Sequence, residues 1–153
     1  MPAASEPGLV TFRPFGVRIA AVLLGLLLFG VTAAIWFAFP QSVRDEFTMF
    51  QRLTVLVFGL AYAAAGHALG RSRIDVRSDG LHVVNGYRSH TFGWGEVRRV
   101  TLRVGSPWAI LELADGTTSA AMGIQGSDGQ RAVAQVKRLR TLLAGHSDGA
   151  PTR

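Results

Sequence analysis

Residues 19–39 read IAAVLLGLLLFGVTAAIWFAF and contain no charged side chain. In helical form, at about 1.5 Å per residue, this stretch covers roughly 30 Å, which is the thickness of the hydrocarbon core of a bilayer. Residues 53–69, LTVLVFGLAYAAAGHAL, are shorter, but Gly70 and the long side chains of Arg52 and Arg71 extend them to the length of a second span. The two stretches predict a hairpin of two transmembrane helices.

Two other interpretations of these stretches are open. Buried core helices of soluble domains usually have apolar runs of about 10 to 14 residues, which is shorter than either stretch. A cleavable signal peptide has an apolar region of about 7 to 15 residues, again shorter than residues 19–39. Trp36, Phe37 and Phe39 before Pro40 are typical of the interfacial end of a span. We therefore expect both helices to be present in the mature protein.

The basic residues near the span ends predict the orientation of the hairpin. Two arginines precede the first span and four follow the second, whereas the link between the spans holds two arginines and two acidic residues. Basic residues are enriched on the cytoplasmic side of a membrane, so both termini are expected in the cytoplasm, in an integral protein of the plasma membrane. The expected segments are a cytoplasmic tail (1–18, with residues 1–12 loose), the first span (19–39), an extracytoplasmic link (40–52), the second span (53–70), a cytoplasmic domain (71–145) and a disordered tail (146–153).

One face of the second span carries small residues at helical spacing. These are Gly59, Ala63, Gly66 and Gly70. Small residues four apart let two helices approach closely, so this face packs against the first span or against a second copy of the chain. Packing within the hairpin is the simpler of the two. His67, near the inner end of the span, is expected to be an interfacial, hydrogen-bonded side chain rather than a proton relay.

After Arg71 the apolar pattern changes from helical to alternating. Ile74 and Val76 alternate with charged residues, as in a half-buried strand, and the dipeptide Asn85-Gly86 is typical of a tight hairpin. No segment between the strands is long enough for a crossover helix. The sequence therefore predicts an antiparallel sheet that curls into a small barrel or sandwich. The predicted strands are residues 73–77, 81–85, 87–92, 97–104, 108–113 and 117–122.

The helical period returns after Gly126. Ser127 is the expected N-cap, with Gln130 completing a capping box, and Gly145 is the expected end of the helix. Such a helix covers the open end of the curled sheet, which makes the whole chain α+β. Its expected inward residues are Val133, Val136, Leu139 and Leu143.

The order of these segments, with DVRSDGLHVVNGYRSHTFGWGEVRRVTLRVGSPWAILELADGTT at residues 75–118, resembles the small bacterial pleckstrin-homology-like (PH-like) membrane proteins, including the low molecular weight antigen 6 type. The resemblance implies a PH-like barrel held at the cytoplasmic membrane, mostly without an assigned activity. A PH domain has seven strands, so the seventh is expected near residues 120–124 or is missing. The residues that carry the resemblance are Asp79, Gly80, Leu81, Trp94, Glu96, Val97, Trp108, Asp115 and Gly116.

The basic residues of the domain outline a candidate surface for a lipid or a protein partner. Such charges either lie against anionic lipid or form a solvated face. Lipid-binding PH domains carry a basic loop in the first hairpin, whereas residues 77–80 are short and partly acidic, so the usual phosphoinositide pocket is not expected. The candidate residues are Arg98, Arg99, Arg103, Arg131, Lys137, Arg138 and Arg140.

No residue pattern indicates a catalytic site, a cofactor or a strong metal site. The chain has no cysteine, and Asp79 and Asp115 are explained by turns. His82 and His90 across the hairpin would make at most a weak two-ligand metal site. Trp94 is expected to cover a corner of the core, and Glu96 to cap a turn or pair with an arginine.

Two hypotheses about function follow from these features. The preferred one is a membrane-anchored, non-catalytic adaptor that offers a sheet edge, or the groove between sheet and helix, to a protein partner at the cytoplasmic face. The alternative is an anionic-lipid-interacting or oligomeric structural protein of the envelope. Nucleic-acid binding is not favoured, because the formal net charge of +6 is explained by the positive-inside bias.

Overall fold

A computed structural model of the chain describes residues 10–147. Two long apolar helices are followed by two antiparallel sheets and a C-terminal helix, which confirms the predicted α+β class. The elements are β1 (Val10–Phe12), α1 (Gly16–Ala38), α2 (Gln41–Glu46), α3 (Met49–Arg71), β2 (Arg73–Val76), β3 (Gly80–Asn85), β4 (Arg88–Gly93), β5 (Val97–Thr101), β6 (Trp108–Leu113), β7 (Thr118–Gln125) and α4 (Gln130–Ser147). Short 3-10 turns join β4 to β5 (Trp94–Glu96) and β7 to α4 (Gly126–Asp128).

The helices α1 and α3 pack side by side and are both long and apolar enough to cross a membrane. No residue of either helix is buried, so neither is the core helix of the β-sheet domain. Each begins earlier than the sequence pattern suggested, at Gly16 and at Met49. For α3 the reason is a capping box: Thr48 Oγ1 accepts a hydrogen bond from Gln51 N (3.3 Å), and Gln51 Oε1 accepts one from Thr48 N (2.9 Å).

The link between the long helices is more helical than the short turn expected at residues 40–52. It contains the six-residue helix α2, and the first turn of α3 takes up its last residues. The apolar pattern of the second span begins after Arg52, although arginine is a good helix former. In the structure α3 therefore begins four residues earlier, at Met49.

The two sheets have the strand orders β1-β2-β3-β4 and β5-β6-β7. β1 pairs with β2 in antiparallel register, with Val10 opposite Val76 and Phe12 opposite Ile74. Phe12 is only 3% exposed and belongs to the core. The expectation of a loose tail is therefore wrong for residues 10–12, because their apolar side chains are needed to complete the sheet; residues 1–9 lie outside the described part.

β1 is the seventh strand of the domain, and it comes from before the first long helix. The expectation of a seventh strand near residues 120–124 is therefore wrong. Those residues belong to β7, which continues the sixth predicted strand as far as Gln125. Because β1 and β2 are neighbours in one sheet, the whole segment from α1 to α3 is an insertion between the first two strands.

A single core lies between the sheets and α4, and the side chain of Asn85 joins the two sheets at its edge. Asn85 Nδ2 donates to Ala120 O (2.7 Å), and Asn85 Oδ1 accepts from Met122 N (2.9 Å). These bonds satisfy backbone groups of β7 at the corner of the sandwich. The predicted hairpin is confirmed, but its turn residues are Gly86, with φ of 62°, and Tyr87.

The helix α4 covers the sandwich with a slightly different face from the predicted one. Ala132 is buried, whereas Val133 is 56% exposed. The prediction is wrong at Val133 because Ala132, the residue before it, takes the place in the core. Ser127 lies in the preceding 3-10 turn and caps no helix within residues 10–147, and α4 continues past Gly145 to Ser147. The remaining buried residues of α4 are Val136, Leu139 and Leu143, as predicted.

Candidate functional site

One end of the domain contacts both long helices, and we call it the helix-facing end. It comprises the β3–β4 turn (residues 85–88), the β5–β6 loop (residues 102–107) and the turn Gly126–Asp128. The last two lie together because Gly126 N donates to Pro107 O (2.9 Å). This end carries the arrangement of side chains with the clearest functional meaning.

The carboxylate of Asp128 caps the start of α1. Asp128 Oδ1 accepts a hydrogen bond from Gly16 N (2.8 Å), and Oδ2 accepts one from Phe15 N (3.1 Å). The first amides of a helix have no partner within it, and a negative charge there is further stabilised by the helix dipole. No local sequence pattern indicates this contact, because the acceptor and its donors are more than a hundred residues apart.

The β3–β4 turn packs on the last turns of α3. Tyr87 Oη donates to Ala64 O (3.1 Å) and lies 3.1 Å from His67 Nδ1. Gly86 N donates to Ser72 Oγ (3.0 Å), just past the end of the helix. His67 is thus hydrogen-bonded near the end of α3, as expected. Together with Asp128, these contacts attach the domain to both long helices.

Basic and exposed apolar side chains alternate at the helix-facing end. Val104 is fully exposed at the tip of the β5–β6 loop, next to Arg103. The following residue, Gly105, has φ of 83°, a conformation that lets the loop turn tightly there. The guanidinium of Arg131 lies 4.8 Å from the centroid of the exposed Phe15 ring. An exposed apolar tip beside a cation suits the boundary between lipid headgroups and acyl chains.

The seven basic candidate residues, predicted either as a group around β5 or as a group on the C-terminal helix, occupy different parts of the domain. Arg103 and Arg131 lie at the helix-facing end. Arg98 and Arg99 lie near the start of β5, which pairs with the far end of β6. Arg140 Nε donates to Val100 O (2.7 Å), so part of its hydrogen-bonding capacity is used inside the domain. The other two, on exposed positions of α4, are Lys137 and Arg138.

The small residues predicted to form one packing face of α3 have different surroundings in the structure. A Cβ placed at Gly66 would lie 3.7 Å from the Cβ of Ala21 in α1, and one at Gly70 would lie 3.8 Å from a side-chain nitrogen of that helix. Ala63 lines a cleft beside these two glycines. Gly59 has open space at its Cβ position within the described residues. Among the described residues, the half of this face nearer the β-sheet domain therefore packs within the hairpin, and the half around Gly59 does not.

A second contact between α3 and α1 was missed by the sequence analysis. Tyr62 Oη donates to Ala21 O (2.6 Å), and the Tyr62 ring lies against Gly25, whose Cβ position is 3.0 Å from it. An aromatic side chain in an apolar stretch gives no signal of such a partner. The missing side chain of Gly25 is what makes room for the ring.

The two histidines considered as metal ligands are not partners. The register places His82 opposite Thr91, and His90 opposite Val83. The proposed pairing across the hairpin is therefore wrong, because the two side chains belong to successive, oppositely directed positions. His82 Nδ1 lies 3.0 Å from Thr91 Oγ1. Residues 10–147 contain no group of three or more histidine or acidic side chains that could hold a metal ion.

Partial burial lowers the pKa of His82, and the nearby charge of Arg77 lowers it further. The pKa of Asp115 is also lowered, in this case because its carboxylate accepts hydrogen bonds from the hydroxyl and the amide of Thr117. Asp115 therefore stabilises the β6–β7 turn, as the sequence indicated. Neither His82 nor Asp115 belongs to a cluster of reactive side chains within residues 10–147.

Comparison with known proteins identifies the domain. Residues 71–142 match the family model of the bacterial PH domain. This part of the chain is a bacterial PH domain. Uncharacterised proteins of Mycobacterium bovis and Mycobacterium tuberculosis are 42% identical to the chain over 86 residues, which is 56% of this chain and 56% of each relative. The chain thus spans about half the length of the curated relatives it matches, and no solved structure gives a significant match.

PH domains are generally non-catalytic binding modules, and the match to this family supports a binding role for the domain. The strand order changes the interpretation of its first hairpin. Residues 77–80 connect the second and third strands, β2 and β3, and form a tight turn in which Arg77 N donates to Gly80 O (2.8 Å). The place between the first two strands is occupied by the long helices instead.

The far end of the PH domain is closed by aromatic packing. Trp94 Nε1 donates to Ser78 O (3.0 Å), and its ring stacks on His146 with centroids 3.8 Å apart. Glu96 Oε2 accepts a hydrogen bond from Gly93 N (2.6 Å). The predictions that Trp94 covers a corner of the core and that Glu96 caps a turn are confirmed. His146, expected in a disordered tail, instead lies in α4 and holds this corner.

Proposed function

We propose that the chain is an integral protein of the plasma membrane whose PH domain is a non-catalytic adaptor on the cytoplasmic face. The observation that carries this proposal is the attachment of the domain, at one end, to two helices whose apolar surfaces are exposed. Exposed leucine, valine and phenylalanine side chains along both helices need a cover, and lipid supplies it. The contacts of Asp128 and Tyr87 then fix the domain directly beneath the bilayer.

The pairing of β1 with β2 supports a hairpin topology. β1 precedes the first long helix and β2 follows the second, so the two strands meet at the same end of the helix pair. Both ends of the inserted segment are therefore on one side of the membrane. The excess of arginine on that side supports its assignment to the cytoplasm.

The outer edge of β4 is the surface that best fits a protein partner. Within the described residues, β4 pairs with β3 alone, and its side chains from Arg88 to Thr91 are exposed. An unpaired edge offers backbone donors and acceptors to an extended peptide, which adds as another strand.

Photo-crosslinking in cells tests the adaptor function. A photoreactive residue replaces Ser89 on β4 in the full-length chain, and a matched variant carries it at Val133 on the exposed face of α4. We expect a discrete protein adduct from position 89 that is absent from position 133. Adducts with lipid or with a second copy, at either position and without another protein, would reject the adaptor in favour of the structural alternative.

A second function, contact with anionic lipid, is favoured by the exposed apolar tip at Val104 next to Arg103. A single cysteine at position 104, labelled with a fluorophore, is expected to be quenched by brominated lipid when the full-length chain is in nanodiscs. Ser78→Cys at the far end is the matched control, since the chain has no native cysteine. Equal quenching at the two positions would show that the helix-facing end does not enter the bilayer.

A further inference from the structure

A cleft of about 430 Å³ opens between α1 and α3 near the ends that contact the PH domain. Its walls are small or apolar, and Tyr62 closes one side. Arg18, His67 and Arg71 line it together at the end nearest the domain. The volume lies within the range of about 300–1,000 Å³ that is common for ligand pockets. The wall residues are Ala21, Val22, Ala63, Gly66 and Gly70.

No acidic side chain in the described part of the chain pairs with either arginine of the cleft. Among residues 10–147 the one salt bridge joins Arg73 to Asp75. Arg71 faces the ring of Tyr87, with its guanidinium 5.7 Å from the ring centroid. Arg18 has no hydrogen-bond acceptor in the described part of the chain. Two cations that line one cleft without a counter-charge attract an anion to it.

We propose that this cleft binds one anionic phospholipid of the inner leaflet. The phosphate lies between Arg18 and Arg71, since guanidinium groups bind phosphate oxygens through paired hydrogen bonds. One acyl chain follows the groove that Ala63 and Gly66 leave open beside α1. This proposal rests on the insertion of α1 and α3 in the membrane, as proposed above, and it concerns a site on the helices rather than on the sheets.

The chemistry of the surroundings favours a lipid over other anions. The cleft is cut into helix surfaces that would face hydrocarbon, where free phosphate does not enter. Neither α1 nor α3 contains an aspartate or glutamate, so the same helices of a second copy supply no counter-charge. An amphipathic anion satisfies the arginines and the apolar walls together.

Lipid retention by the full-length protein tests the proposal. The chain is purified in mild detergent, and native mass spectrometry follows its binding of phosphatidylglycerol and of phosphatidylcholine. We expect the wild type to retain a single phosphatidylglycerol in preference to phosphatidylcholine. Arg18→Gln and Arg71→Gln are each expected to weaken this binding about fivefold, from about 1 kcal/mol per charge.

Two further variants separate the site from general effects of charge and folding. Ala63→Leu fills the groove while both arginines remain, and it is expected to displace the lipid. Arg52→Gln, at the opposite end of α3, is the matched control and is expected to bind as the wild type does. Equal binding by wild type and the double variant Arg18→Gln, Arg71→Gln would overturn the proposal, as would equal retention of the two lipids.

Membrane insertion is measured separately by carbonate extraction of the same variants. A wild-type chain that stays in the membrane but shows no preference for phosphatidylglycerol contradicts the lipid site alone. A wild-type chain that carbonate releases contradicts the proposed membrane function, and the lipid site with it.

Discussion

Replacing Asp128 by alanine removes the cap that joins the PH domain to the first long helix. Two backbone amides, Phe15 N and Gly16 N, lose the carboxylate oxygens that accept from them at 3.1 and 2.8 Å. Loss of a capping side chain costs about 0.5–2 kcal/mol, and loss of a charge at a helix start costs about 0.3–1 kcal/mol. We therefore expect Asp128→Ala to lower the free energy of local opening by about 1–2 kcal/mol.

Hydrogen exchange of the full-length protein in nanodiscs measures this change. A loss of about 1–2 kcal/mol raises the exchange rate of the amides at the start of α1 by about 5- to 30-fold. Asp128→Asn keeps an acceptor oxygen but loses the charge, so a smaller increase is expected. Ser127→Ala is the matched control, because Ser127 is the neighbouring exposed residue and its side chain makes no hydrogen bond within residues 10–147. Unchanged exchange in Asp128→Ala, or an equal increase in Ser127→Ala, would refute the proposed attachment.

Three further predictions concern the core, the pH response and the helix pair, and thermal unfolding in detergent measures each. Leu139→Ala should lower the free energy of unfolding by about 2–5 kcal/mol because its side chain is fully buried. Val133→Ala, on the exposed face of α4, should change it by less than about 0.5 kcal/mol. Similar losses for the two variants would contradict the described packing of α4. Because the pKa of His82 is lowered in the folded protein, the unfolded chain takes up the proton more readily, so stability is lost as the pH falls below about 6.5. His82→Gln should remove that loss, and an unchanged pH profile would exclude His82 as its cause. Gly66→Leu should destabilise the helix pair, since a Cβ placed at this position would already lie 3.7 Å from the Cβ of Ala21 in α1, whereas a Cβ at Gly59 would meet no neighbour within residues 10–147; a larger effect at Gly59 would contradict this packing.

Local sequence pattern was sufficient for most of the fold. The apolar stretches located both long helices, and the alternation of residues such as Ile74 and Val76 located the strands that follow them. Asn85-Gly86 located the hairpin, although its turn falls one residue later. These features are encoded within a few neighbouring residues, which is why they can be read from one sequence.

The contacts that define the candidate site are encoded at long range. β1 is three residues long, and only its partner β2, more than sixty residues later, makes Val10–Phe12 a strand. Asp128 caps a distant helix, whereas its neighbour Ser127 has the local pattern of a cap and does not act as one. Val133 and Ala132 are adjacent, and the way α4 packs on the sheets decides which of them is buried. Such choices depend on tertiary packing rather than on residue type.

Labelling of single cysteines in intact cells tests most directly the central claim that a two-helix hairpin holds the PH domain at the cytoplasmic face. The chain has no native cysteine, so Ser42→Cys in α2 and Ser78→Cys at the far end of the domain can be compared directly. We expect an impermeant thiol reagent to label position 42 in intact cells and position 78 only after permeabilisation. Labelling of position 78 in intact cells would contradict the account.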